Sequence, residues 1–169
     1  MTRGEESTVR VAVRADLDEC VELLAQVAAE RRWIGLEPPF DTADAARKME
    51  STIGSGMHGV FVAEVDGRIA GMASVRFDSA GVTGFAMMVA ADHRGRGLGP
   101  QLLDRVIEWS RDKGAHKVGM KVWPHNQAAL ALYRRAGFEV EGVLRQHFRR
   151  RNGELWDAVI MGLLLEGEP

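Results

Sequence analysis

The chain has 169 residues, 46% hydrophobic and 27% charged, enough for one domain with a full hydrophobic core. Its net charge of −2 argues against a nucleic-acid or membrane surface, and its one cysteine, Cys20, excludes an internal disulfide and a cysteine-based zinc cluster. No apolar run approaches the roughly 18 residues of a membrane helix, and the polar stretch Met1 to Thr8 lacks a signal-peptide core. These features together predict a cytoplasmic protein of one domain over 1–169, with its core at about 9–165, that binds neither membrane nor nucleic acid.

Val9, Val11 and Val13 alternate with Arg10, Ala12 and Arg14, which reads as a strand. Asp16, with Glu19 three residues on, resembles a capping box. Leu17, Cys20, Val21, Leu24, Val27 and Ala28 then form one apolar helical face, with Cys20 as a small buried hydrophobe. Arg31 to Phe40 has no period and contains Pro38-Pro39, so it reads as a loop. Thr42 is expected to cap a second helix over Ala43 to Ile53, ended by Gly54, Ser55 and Gly56. Val60 to Val65 and Arg68 to Phe77 form a hairpin about the type I′ signal Asp66-Gly67. A turn at Asp78 to Gly81 leads into Val82 to Ala90, a mostly apolar run that reads as a central strand.

His93-Arg94-Gly95-Arg96-Gly97-Leu98-Gly99 follows that strand. Leu102, Leu103, Val106, Ile107 and Ser110 then repeat at helical spacing up to Gly114. Glycines at alternate positions let the backbone approach an anion, and the helix start aims its free N–H groups and positive dipole end at the same place. The loop therefore reads as a phosphate socket. Arg94 and Arg96 supply charge, and the amides from Gly95 through Leu98 to Gly99 supply hydrogen bonds. Pro100 suits a first helical turn but removes one amide donor. His116 to Trp123 is the next strand, Asn126 caps a short helix ending at Gly137, and Phe138 to Leu144 and Leu155 to Leu165 are closing strands about Asn152-Gly153. The order is that of an α/β fold with a mixed central sheet of about seven strands and flanking helices.

A dinucleotide-binding reading of the loop fails on context. The loop follows a fourth strand, and the next strand ends in Val122-Trp123-Pro124 without the acid that a ribose needs. A P-loop fails as well, because Gly99-Pro100-Gln101 stands where Gly-Lys-Ser/Thr is required. Arg94-x-x-Gly97-x-Gly99, however, resembles the acyl-CoA pyrophosphate loop of the GNAT superfamily of N-acetyltransferases. Asn126-x-x-Ala129-x-x-Leu132-Tyr133-x-x-Ala136-Gly137-Phe138 resembles the second motif of that family, in the expected order and across a helix and a strand. The element order is similar from Val9 to Leu165.

The resemblance implies a GNAT fold and acetyl-CoA-dependent transfer to a primary amine by direct attack on the thioester, with no metal. It implies that Met87, Met88 and Val89 lie along the pantetheine arm as an exposed strand edge, with the Val89 amide polarising the thioester carbonyl. It assigns Tyr133 as general acid to the departing thiolate and gives Asn126 a second role beside its cap, a contact to the pantetheine. Many members carry a carboxylate base on the fourth strand. Val82 to Ala90 holds none, leaving water or one of Glu37, Glu64 and His125. The loop with Trp33, Glu37 and Phe40 has the composition of an acceptor pocket, and of simple packing equally.

The tail from Gly137-Phe138-Glu139 to Asp157 resembles members acting on small amines, amino acids, polyamines or ribosomal-protein N-termini. The acceptor is thus a small-molecule or peptide amine, an antibiotic being the alternative within the class and a non-catalytic acyl-CoA-binding module the alternative outside it. A homodimer is common in the family. The run Arg145-Gln146-His147-Phe148-Arg149-Arg150-Arg151 reads as a solvated hairpin or as an anion contact, and the five histidines have no metal spacing.

Overall fold

The computed structural model describes residues 7–165; the first six residues of the polar N-terminal stretch and residues 166–169 lie outside the description. The chain builds one seven-stranded sheet in the order β1-β2-β3-β4-β5-β7-β6. The strands are β1 (Ser7–Val11), β2 (His58–Val65), β3 (Arg68–Phe77), β4 (Val82–Val89), β5 (Lys117–Val122), β6 (Glu139–Arg149) and β7 (Leu155–Leu164). The helices are α1 (Leu17–Ala29), α2 (Thr42–Thr52), α3 (Leu98–Asp112) and α4 (Gln127–Arg135). The mixed α/β architecture expected from the sequence is the one formed.

Side-chain alternation divides the core between the two faces of the sheet. Phe61, Ala73 and Val75 meet Leu98, Leu102 and Val106 of α3, with Tyr133 and Phe138 beside them. Val60, Val62 and Met72 point the other way, onto Cys20, Leu23 and Val27 of α1, with Met49 and Ile53 from the α2 region. Cys20 is fully buried and its thiol is pushed up to about 11 by loss of solvent, which makes it inert packing. The hairpin turn is as the residues demand, with φ of 48° at Asp66 and 77° at Gly67.

Several local expectations are corrected. Asp16 precedes α1 without capping it by its side chain. Its carboxylate turns back instead, accepting from Arg10 Nη1 and Nη2 at 2.7 and 2.8 Å and from the Val13 amide at 2.8 Å. Glu19 completes no capping box. It accepts from the Ile69 amide at 3.0 Å and Arg68 Nε at 3.2 Å, pinning α1 to the start of β3. The cap of α2 is Asp41 rather than Thr42. Its carboxylate takes the amides of Ala43 and Asp44 at 2.9 and 3.1 Å, and Thr42 becomes the first helical residue. β6 continues past Leu144 to Arg149, because an irregularity between Leu144 and Phe148 resets its pairing to β7.

The Asp16 arrangement carries a stability prediction. The Arg10 hydrogen bonds, opposed by burial and aided by the Val13 amide, hold the Asp16 carboxyl below its ordinary 3.8. A depressed carboxylate stabilises the fold above its unfolded pKa and loses that contribution as pH falls through the folded value. Asp16→Asn is expected to cost about 1–2 kcal/mol near pH 7, the half-exposed Arg10 limiting the effect. Denaturant midpoints of the two proteins should converge as pH falls through the depressed folded value, where Asp16 also becomes neutral. A gap that persists there would mean that packing, not charge, sets the cost.

Candidate active site

The sheet opens where its one parallel pair diverges. β4 and β5 are in register only at Val82, Thr83 and Gly84 against Lys117, Val118 and Gly119. Beyond Gly84, β4 keeps β3 on one side and β5 keeps β7 on the other, so their facing edges separate. A cleft of about 980 Å³ runs through the opening. Phe85, Met87 and Tyr133 line it toward α3 and α4; Trp33, Phe40 and Met49 line it toward α1 and α2.

Three structural pieces converge on the α3–α4 side. Gly97, with φ 85° and ψ 3°, is the residue before α3 and turns the chain into the helix. Leu98 is buried immediately after it and anchors the helix start. Pro100 is the third residue of α3, where an amide has no intrahelical acceptor, so no helical bond is lost. Gly99 brings α3 close to its neighbours: a Cβ there would stand 3.3 Å from Leu132 and 3.7 Å from Met87. Asn126 caps α4 by accepting from the Ala129 amide at 3.2 Å, and it lines the cleft.

Tyr133 lies on α4 against Phe85 and Phe138, both at 5.7 Å between ring centroids, with 5% of its surface exposed. Burial pushes its phenol well above the ordinary value. Its hydroxyl has no hydrogen-bond partner among the described residues. The group is therefore a neutral donor through the physiological range.

Arg94 has protein partners of its own. Its guanidinium grips Glu30, at the end of α1, through Nη2–Oε1 and Nη1–Oε2 contacts of 2.6 and 2.8 Å, and its Nε donates to the Val89 carbonyl at 3.0 Å. Trp33 Nε1 donates to the same Glu30 carboxylate at 2.7 Å. These donors, Arg94 first, hold Glu30 below the ordinary carboxylate range. Arg94 thus ties the glycine loop to the aromatic wall, and it stands with Arg96 and the backbone amides of the loop as a candidate donor to an anion.

The structure disperses the other expected groups. Met87 lines the cleft, Met88 packs toward α1, and Val89 packs against the α3 core. Trp33 and Phe40 line the cleft and Glu37 does not. Glu37 accepts from the Arg151 amide at 3.0 Å and pairs with Arg150 at 3.4 Å. Glu64 pairs with Arg10 on the β1 side of the sheet. His125 gives Nε2–H to the Arg32 carbonyl at 2.9 Å, so that nitrogen cannot accept a proton. None of the three carboxylate and histidine candidates for a base lines the cleft.

The sequence reading missed Ser74 and Arg76, exposed on β3 where their cross-strand partners are Ala86 and Gly84 of β4. Both line the cleft. Their signal was present: polar residues at alternate positions in an otherwise apolar strand mark one face as open. Arg76 makes no ion pair among the described residues.

A mixed sheet split at a parallel pair, with a glycine loop feeding a helix on one side and an aromatic wall on the other, is the architecture of an acyl-group transferase acting across its sheet. The model of the Acetyltransferase (GNAT) family matches residues 21–138, and the chain belongs to that family. It is 28% identical over 165 residues to an L-methionine sulfoximine/L-methionine sulfone acetyltransferase of Pseudomonas aeruginosa, covering 95% of each chain. It is 29% identical over 165 residues to an L-amino acid N-acyltransferase of Escherichia coli, covering 94% of each. Among solved structures, a putative acetyltransferase from Salmonella typhimurium with its cofactor acetyl-CoA superposes with a TM-score of 0.85 at 26% identity, over 97% of this chain and 96% of that one. Among the described residues no helix is long and apolar enough to cross a membrane.

Proposed function

We propose that this chain acetylates the α-amine of small amino acids, using acetyl-CoA, by direct attack of the amine on the thioester. The observation that carries the reading is Tyr133, a desolvated, unpartnered phenol in the wall of a cleft that crosses the sheet at the β4–β5 opening. The thioester supplies the acetyl group and a thiolate as leaving group. The amides of Gly95 to Gly99 hold the pyrophosphate at the start of α3. The open edge of β4 from Phe85 to Val89 pairs with the pantetheine amides, and the Val89 amide faces the reacting carbonyl. The Tyr133 hydroxyl delivers its proton to the sulfur as the carbon–sulfur bond breaks.

The acceptor enters from the α1–α2 side, where Arg76 faces the cleft as a cation for a carboxylate. The carboxylates lining the cleft are committed elsewhere: Asp41 to the α2 cap, Asp44 to Lys48, Asp78 to the amides of Ala80 and Val82. The amine's proton therefore passes to water in the open cleft, and the rate should climb with pH along the acceptor's own ammonium titration. The Pseudomonas and Escherichia relatives, whose names specify amino-acid acceptors, support the same class.

Thiol release from acetyl-CoA, measured across L-amino acids and their decarboxylated amines, tests the reading. Amino acids should be turned over in preference. Arg76→Ala should raise their KM by about ten- to a hundredfold, the worth of a charged hydrogen bond, and leave the decarboxylated amines unaffected. Tight CoA binding with no turnover of any amine would instead identify a binding module.

A further inference from the structure

Residues 31–40 join α1 to α2 without regular structure, so their backbone carbonyls need partners from elsewhere. They receive them from side chains far along the chain. His125 donates to Arg32 O at 2.9 Å and Trp123 Nε1 to Trp33 O at 3.1 Å. Arg150 Nη1 reaches Ile34 O and Gly35 O, and its Nη2 reaches Arg31 O, each at 3.3 Å. Arg151 Nη2 donates to Pro39 O at 2.8 Å. Glu37, the segment's one carboxylate, closes the set by pairing with Arg150 Nη2 at 3.4 Å and accepting the Arg151 amide at 3.0 Å.

Arg150 is the centre of this arrangement. It is 4% exposed, and its guanidinium sits 4.3 Å from the Trp156 ring centroid and 5.8 Å from that of Trp123. A buried ion pair is a poor source of stability compared with apolar packing. What a planar guanidinium adds is direction: one rigid fork reaches several carbonyls at once, which neither lysine nor an apolar side chain can do. The backbone so fixed carries Trp33, Ile34, Leu36 and Phe40 into the cleft.

We infer that Arg150 is a positioning residue that sets acceptor selectivity, by clamping the 31–40 segment as a fixed wall of the acceptor end of the cleft. The inference rests on the proposed reading that the amine binds on the α1–α2 side. Loosening the clamp should weaken acceptor binding and flatten the preference among amines, and leave acetyl-CoA binding, at the start of α3, within about threefold.

The experiment compares wild type, Arg150→Ala, Arg150→Lys and Glu37→Gln by steady-state kinetics and by limited trypsin digestion. Arg31 and Arg32, both exposed, make the segment its own cleavage reporter. For Arg150→Ala the acceptor KM should rise by about tenfold or more, with kcat and the acetyl-CoA KM within about threefold. Cleavage after Arg31 and Arg32 should accelerate by a similar factor while other sites keep their rates. Arg150→Lys should rescue only part of either effect. Glu37→Gln keeps an acceptor for the Arg151 amide and should shift both in the same direction by about threefold, which keeps the inference testable if Arg150→Ala does not fold.

Unchanged acceptor KM with an equally protected segment overturns the clamp. A parallel fall in every parameter with uniformly faster digestion reduces Arg150 to general scaffold and overturns selectivity. Failure of all amines in the wild type defeats the proposed function instead, and the digestion pattern then decides the clamp alone.

Discussion

Tyr133→Phe is expected to lower kcat by about a hundredfold or more, the usual worth of a positioned acid, and to leave acetyl-CoA affinity within about twofold. The ring is held by Phe85 and Phe138, and its hydroxyl anchors nothing among the described residues. Phenylalanine therefore fits the same space with little strain and removes only the proton. The raised phenol pKa does not argue against the role. Desolvation raises the proton affinity of a thiolate expelled into the same dry opening, so donor and acceptor move together. Had the phenol been an ion, it would repel the departing sulfur. Rapid-quench thiol release at saturating substrates, beside calorimetric titration with acetyl-CoA, separates the two quantities. Unchanged kcat would remove Tyr133 from the chemistry, and a large loss of affinity would make it a binding residue. The chain has one tyrosine, so a phenol signal lost in the variant belongs to this site alone.

The short helix that carries Tyr133 was legible because it is a local pattern, capped by Asn126, and that distinction runs through the whole molecule. The Asp66-Gly67 turn, the period of α3 and the glycine loop before it are short-range signals, and the structure forms all of them. The capping errors share a cause. Asp16 and Glu19 have better partners in Arg10, Arg68 and the Ile69 amide, and the Glu19 contacts lie 49 and 50 residues away in sequence. Tertiary hydrogen bonds outbid local capping there.

The charge run at 145–151 is largely exposed as a solvated hairpin would be, and Arg150 is its exception, for the same reason. Charges in a hairpin ordinarily face water, yet Arg150 is among the most buried polar residues because carbonyls 115 to 119 residues away await it. Arg94, at a motif position that suggests a phosphate ligand, also pairs with Glu30, 64 residues distant. Long-range polar pairing has no period and leaves no trace in a single sequence.

The glycine loop offers an anion its backbone amides beside Arg94 and Arg96, and Pro100 lacks an N–H, so its backbone shape should govern acetyl-CoA binding. Gly97 is the position to test. Its φ of 85° lies in the left-handed region, where an L side chain costs about 1–2 kcal/mol. The helix cannot shift to relieve a new Cβ, because Leu98 is 2% exposed in the α3 core. A Cβ at Gly97 meets no atom within 4 Å, so conformation and not collision is what the substitution alters. Strain must then be relieved in the loop itself, turning the amides at 95–99 away from the proposed pyrophosphate position.

Gly97→Ala should therefore raise the acetyl-CoA KM by about tenfold or more and lower stability by about 1–2 kcal/mol, with kcat at saturating acetyl-CoA within about threefold. Gly97→Asn should fall between the two proteins, since asparagine tolerates the left-handed region better than other side chains. The acetyl-CoA KM, the dissociation constant from calorimetry and the denaturation midpoint measure the three effects separately. Normal acetyl-CoA affinity in an alanine variant of reduced stability would show that the pyrophosphate is held by groups other than these amides. An alanine variant that loses kcat at saturation would mean that the loop also sets the thioester against Tyr133.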